Sequence, residues 1–402
     1  MAATNNTLTA VVPQLLAQGL MALRENAIMP LIVNRSYETM AGERGSTIDI
    51  PIPSAFEVND VTGHAWSTAP AAQDLAPTSV SIPLNRHKEV NFALDDKQRL
   101  EIMNGVLPMQ ASEAVKALAN EVDQFLLGLG NQFFGIVDLS GTDAVGQQPF
   151  GDGTTADAVA LRTVLNQQLA PMDPRYVVVD PVTEGAALGI RAFQDASFGG
   201  GPQALINGDL QRKFGMMWLM DQNVQTHTHG TADGTWDLAV NNGGGYSIGD
   251  TSIAIDATTT TGTLTAGDIV KFANHSQTYV VTAAVPDVTS GTMTIQPPLV
   301  AAVDDNDSIT FADGTAGAYE LNSSHVMNLA FHRDAIAFAT RPLARSAHPG
   351  SIVETATDPI SGLSLRLEVQ REWKRDRYSF DILYGGAVIR RELGARLPAF
   401  VA

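Results

Sequence analysis

The chain has 402 residues, enough for two or three compact units at about 100–200 residues each, and its composition, 44% hydrophobic against 17% charged, belongs to a globular protein. Cysteine is absent, which excludes disulfides, thiol nucleophiles and cysteine-ligated zinc; no run of about eighteen apolar residues offers a bilayer span. A net charge of −18 opposes a grip on nucleic acid, because phosphate binding works by Lys and Arg releasing counterions.

No basic residue precedes Arg24, so the start lacks the charged stretch of an export signal and a cytoplasmic origin is expected. Charge is unevenly placed: Thr226 to Glu320 carries eleven acids and only Lys271, whereas Leu363 onward carries eight bases and five acids. Such asymmetry points to separate units with different neighbours.

In chain order, Thr9 to Asn26 reads as a helix with Leu16, Leu20 and Leu23 on one face. Ile48, Ile50 and Ile52 then alternate with Asp49, Pro51 and Pro53, and Val80, Ile82 and Leu84 alternate with Ser81, Pro83 and Asn85, as the legs of a β-hairpin would. Between them Ser54 to Ser79 is Pro/Ala/Ser-rich without periodicity, too long for an internal loop of a compact domain. The prolines confine these strands to an edge, and legs of about twenty residues at ~3.3 Å each would reach roughly 60 Å. The expectation is an arm, Ile48 to Ala93, lying on an adjacent subunit.

Asp95 to Met103 reads as a helix capped by Asp95. From Pro108 to Leu129 a longer amphipathic helix carries Val115, Leu118, Val122, Phe125 and Leu129 on one face and Glu113, Lys116, Asn120 and Asp123 on the other. After a Gly-rich loop, a helix from Asp157 to Ala170, a strand from Tyr176 to Asp180 and a helix from Pro181 to Arg191 make a mixed unit. From Gln225 to Glu320 the text turns to Thr, Gly, Asp and Val. Strands are expected at Ser252 to Asp256, Asp268 to Phe272, Thr278 to Ala283, Gly291 to Gln296 and Ser308 to Phe311, an all-β domain of sandwich or barrel type. Mixed patterning resumes at His325, so this domain is an insertion.

The sequence holds no catalytic motif, and no cofactor is implied. His227 and His229, with Asp221 and Asp233 nearby, have the alternate spacing of strand ligands but no third ligand at a telling distance, and a solvated junction is the expectation. Asp304, Asp305 and Asp307 lack the Gly and closing Glu of a calcium loop and read as a turn. Asp49, Glu57, Asp60, Trp66 and Asp74 on the arm are candidate inter-subunit contacts; Arg390, Arg391 and Arg396 form a candidate interface or inner-surface cluster. A competing reading is a phage or bacterial surface module that binds glycans through exposed aromatics, for which the insert offers Trp236, Tyr246, Phe272, Tyr279, Phe311 and Tyr319.

Four segments carry a resemblance. Leu205 to Gly215 (LINGDLQRKFG), Asn328 to Pro342 (NLAFHRDAIAFATRP), Asp358 to Arg366 (DPISGLSLR) and Asp381 to Leu393 (DILYGGAVIRREL) are similar to segments of the coat proteins of short-tailed Salmonella-type phages, within the Hong Kong 97 capsid fold. The resemblance implies an α+β chain: N-terminal arm 1–45, extended β-hairpin loop 46–93, spine helix and peripheral domain 94–156, apical domain 157–224, inserted β domain 225–320, apical domain again 321–350, and C-terminal peripheral strands 351–402. It further implies a major capsid protein forming hexamers and pentamers of an icosahedral shell, located in the virion and assembled in the bacterial cytoplasm. The implied partners are a scaffolding protein, a portal protein, a decoration protein and enclosed double-stranded DNA, with no membrane. Some members weld subunits through a Lys–Asn bond; no lysine precedes Lys88 here, so that chemistry is not expected.

Overall fold

A computed structural model describes residues 16–17, 27–37, 47–53, 56, 58, 77–97, 106–137, 148–194, 208, 210–232, 236–311, 325–344, 351–357 and 363–400. The chain divides into two compact units, one of residues 1–20, 35–114 and 337–389, the other of 21–34, 115–336 and 390–402. Both mix sheet with little helix, and among the described residues no helix is long and apolar enough to cross a membrane.

The first unit holds a two-stranded and a five-stranded sheet. Thr47–Ile52 pairs antiparallel with Thr78–Pro83, Ile48 opposite Ile82 and Ile50 opposite Val80, so the alternating isoleucines do form a hairpin. Period-two alternation puts Ile48, Ile50 and Ile82 on one buried face with Leu84, packed on Ala337 and Ala339 of the same chain. Arg86–Asp95 is not part of that hairpin. It runs antiparallel to Arg375–Val388 over ten pairs, from Arg86 opposite Tyr384 to Asp95 opposite Arg375. From Arg86 onward the segment expected as an arm is therefore paired along one side with a strand of its own chain. Asp95 is the last residue of this strand and helical geometry begins at Asp96, which leaves Asp95 at the expected cap position; the rest of that expected helix lies outside the described residues.

Within the five-stranded sheet Arg366 and Asp381 face each other in register and pair at 2.5 Å, a charged cross-strand couple largely shielded from water. Gly385 marks where the hairpin's base crosses this sheet: a Cβ there would come within 2.1 Å of the Pro83 carbonyl, so the Tyr-Gly-Gly run is dictated by close backbone approach.

The helix Val106–Gly128 belongs to the second unit from Val115 onward, and there its Val115, Leu118, Val122 and Leu126 recur at helical spacing and are buried. Its seven-stranded sheet runs in the order Gly135–Ile136, Gly394–Phe400, His325–His332, Arg175–Val179, Met216–Met220, Arg212–Lys213, with Thr226–His227 added beside His325–His332. Asp180 caps the following helix Pro181–Leu188 by accepting from the backbone N–H groups of Val182 and Thr183.

A six-stranded antiparallel sheet follows in the order Ile309–Phe311, Ile269–Phe272, Tyr279–Val281, Ser290–Gln296, Ser252–Asp256, Ala239–Val240. Its two outer strands are themselves joined: Val240 N donates to Asp307 O at 3.0 Å and Ile309 N to Leu238 O at 2.9 Å. The sheet thus closes into a small barrel with no open edge. Inside, Val240, Ile253, Ile255, Val270, Phe272, Tyr279, Met293, Ile295 and Ile309 are all essentially removed from water. Asp304, Asp305 and Asp307 form the expected turn, with Asp304 N donating to Asp307 Oδ2 and Asn242 N to Asp305 Oδ1.

Candidate functional site

Two regions carry the functional argument, the hairpin and the root of the barrel. On the hairpin, Asp49 is exposed and its Oδ1 accepts the Ser81 hydroxyl. Glu57, Asp60, Trp66 and Asp74 lie outside the described residues, as does most of the loop that bears them. Phe56 and Val58 are exposed at 59% and 99%.

The arginine cluster separates. Arg390 is half-exposed beside Glu392 at 3.9 Å, and Arg391 is partly buried, its guanidinium pKa lowered by loss of solvent. Arg396 is a correction: it is 1% exposed and faces no surface. Its Nη1 donates to Gly267 O at 2.7 Å and its Nη2 to Asn131 O at 2.5 Å, because its strand runs through the sheet interior with the barrel turn against it. Burial lowers its pKa to about 9, partly offset by Asp268.

Trp373, which the sequence reading passed over, stands 85% exposed between the strands Ser364–Glu372 and Arg375–Val388, with Lys374 Nζ 5.3 Å from its ring centroid. A hairpin tip with φ of 55° at Lys374 holds it out.

At the barrel's root the expectation of a solvated histidine pair is overturned. The chain leaves the large sheet at Thr226–His227 and returns at His325, and these strands pair, His325 opposite His227. Asp268, from the turn that opens the barrel strand Ile269–Phe272, reaches into that pairing. His227 Nε2 lies 2.9 Å and His229 Nδ1 3.2 Å from the same carboxylate oxygen, Oδ1, while His229 Nε2 lies 3.0 Å from His325 Nδ1. His227, His325 and Asp268 are at most 3% exposed. Thr265 N, at 2.7 Å, and Gly230 N, at 3.3 Å, donate to the other oxygen, Oδ2. Neither Asp221 nor Asp233 supplies this third group; Asp221 sits elsewhere and Asp233 lies outside the described residues.

Burial works against the Asp268 carboxylate, but hydrogen bonds from His227 and His229 hold its pKa well below the usual carboxylate range. An ionised carboxylate only accepts, so His227 Nε2 donates to it, while His229 Nε2 and His325 Nδ1 share one proton between them. Burial lowers His227, and with the neighbouring His229, His227 and Arg396 it lowers His325 to about 2, so that His325 stays neutral. Gly267 completes the packing with φ of +107°, where a Cβ would come within 2.8 Å of the His227 ring.

Asp123 is a second buried carboxyl that helical periodicity misassigned to a polar face. It is fully buried and accepts from the N–H groups of Ile28 and Met29 at 3.1 and 3.0 Å, serving the first turn of the short helix Met29–Ile32. Burial and then Asp221 push its pKa up to about 8.

The aromatics that a glycan platform would need are engaged elsewhere. Phe272 and Tyr279 lie in the barrel core and Trp236 and Tyr246 pack against it, leaving no exposed ring among the described members of that set.

No family model matches the sequence, and no curated protein is detectably similar to it. Solved structures do match. A chain from Mycobacterium phage Che8 aligns with a TM-score of 0.52 at 15% identity over 92% of this chain and 91% of that one. A chain from the capsid structure of the Cyanophage P-SCSP1u aligns with a TM-score of 0.50 at 11% identity over 92% and 87%. The chain therefore shares, over about nine-tenths of its length, the fold of a chain in a phage capsid structure.

Proposed function

We propose that this protein is the major capsid protein of a tailed bacteriophage, a structural subunit that assembles into a closed icosahedral shell around double-stranded DNA. The observation that carries this reading is an alignment spanning nine-tenths of the chain with a subunit of a phage capsid, since a match of that extent leaves little chain over for another purpose. Exposed apolar side chains at Phe56, Val58 and Trp373 are compatible with the same reading.

On this reading the work is mechanical, no step being catalysed. Hexamers and pentamers form by closed repetition of the same contacts, the hairpin loop 54–77 reaches a neighbour, and the barrel is an inserted domain within 225–320. Scaffolding, portal and decoration proteins are the partners to seek, in the host cytoplasm during assembly and in the virion afterwards. The acidic surface suits enclosing DNA more than clasping it.

Electron microscopy of the purified protein, with a scaffold supplied, tests the proposal. Closed polyhedral shells are expected; small discrete oligomers under every condition that favours polymerisation would overturn it.

A further inference from the structure

The histidine group at the barrel's root lies outside anything that shell building requires. We propose that His227, His229 and Asp268 form a binding site for one divalent transition-metal ion of the zinc class, with His227 Nε2, His229 Nδ1 and Asp268 Oδ1 as ligands and solvent in the fourth position. Among the described residues these three bring one donor atom each within 4.8 Å of the others.

The three donors converge on one point. Bonds of about 2.0–2.2 Å in a tetrahedron set neighbouring donors roughly 3.3–3.5 Å apart. The two imidazole nitrogens converge on a single carboxylate oxygen at 2.9 and 3.2 Å and all three donors lie within 4.8 Å of one another, so closure around an ion asks the imidazoles to draw together by up to about 1.4 Å. His229 is the most open of the three, its side chain being 12% exposed against 3% for His227 and 1% for Asp268, although its Nδ1 is itself buried.

Each ligand is held by a separate support. Asp268 is fixed through its other oxygen by Thr265 N and Gly230 N. His229 is oriented through its other nitrogen by His325, the outer hydrogen bond that metal-bound imidazoles generally make. His227 is fixed by strand pairing with His325 and by the Gly267 backbone against its ring. Metal binding needs His227 Nε2 and His229 Nδ1 without protons: the His227 proton then sits on Nδ1, the His229 proton sits on Nε2 and is donated to His325 Nδ1, and the His325 proton sits on its Nε2.

The ligand set also selects the ion. A hard cation such as calcium or magnesium needs several oxygens, but this site has one carboxylate, whose charge is shared with buried Arg396. Binding must come chiefly from imidazole nitrogen, which suits zinc, cobalt and nickel. Because the ligands come from the exit strand and from the barrel's own turn, the ion would tie the barrel to the strand from which it springs, stabilising the folded form by mass action.

The test is titration of the metal-free full-length protein with Co(II), followed by its visible absorption. One equivalent per chain is expected, giving the intense d–d bands of four-coordinate cobalt, displaced by Zn(II) and unaffected by excess Ca(II) or Mg(II). His229→Ala, at the most open ligand, should weaken binding by more than about 100-fold, beyond the loss that disturbing a supporting residue causes; His87→Ala, on the first unit's sheet, should leave it unchanged. A wild-type spectrum with only weak six-coordinate bands overturns the proposal without recourse to variants, as does undiminished binding in a folded His229→Ala protein.

Discussion

The barrel and the hairpin are both antiparallel β-structure with alternating apolar residues, yet they finish their burial differently. The barrel joins its outer strands to each other through Val240 and Ile309 and encloses a core of its own. The hairpin has two strands, and its buried isoleucines need Ala337 and Ala339 to cover them. Two strands alone are marginal in water, whereas a closed sheet satisfies its own backbone groups. One region is thus self-sufficient and the other depends on a distant strand of the same chain.

The largest expected effect breaks the comparison at the hairpin. Replacing residues 54–77 with a short Gly-Ser turn should leave the far-ultraviolet circular dichroism and unfolding midpoint of the monomer near wild type while abolishing shells in the microscope. Normal shells from that variant would show that the loop reaches no neighbour.

At the barrel, a fragment of residues 225–320 is expected to give a β-type spectrum and to unfold cooperatively in urea. Within it, Phe272→Ala should cost about 3–5 kcal/mol by emptying the centre of the core. A random-coil spectrum from the fragment would mean that the barrel leans on the rest of the chain as the hairpin does.

A smaller effect concerns Asp123, which secures the segment Ile28–Ile32 within the barrel's unit. Its folded pKa of about 8 lies above the ordinary 3.8, so between those values the folded form keeps a proton that the unfolded form has lost. Its contribution is therefore greatest at acid pH and declines as pH rises toward 8. Urea midpoints measured from pH 5 to 8 should fall in the wild type and stay flatter in Asp123→Asn, which loses about 1–2 kcal/mol at the acid end through one broken backbone hydrogen bond. Parallel pH profiles for the two proteins would show that Asp123 is ionised throughout.

Much of the local architecture was legible in the residues. Ile48, Ile50, Val80 and Ile82 announced a hairpin and its pairing, and the five strand segments from Ser252 to Phe311 were all placed within a residue or two, since strand periodicity is a property of neighbours in the chain. The long helix through Val115, Leu118 and Val122 was legible for the same reason.

What pattern could not supply was the environment of polar groups that leave the surface. Asp123 has the spacing of a solvated face and is buried because Ile28 and Met29, some ninety-five residues away, bring it two N–H groups. Arg396 looked like part of an exposed basic cluster and is buried because Gly267 and Asn131 offer it carbonyls. His227 and His229 showed only each other in the sequence; the carboxylate they share is 41 residues beyond His227 and the third imidazole comes from the returning strand. Periodicity records how a segment meets water and core, so sequence alone settled which stretches are strands and helices. Partnership between buried charges depends on which distant segments the fold brings within hydrogen-bond reach, and only the tertiary structure decided that.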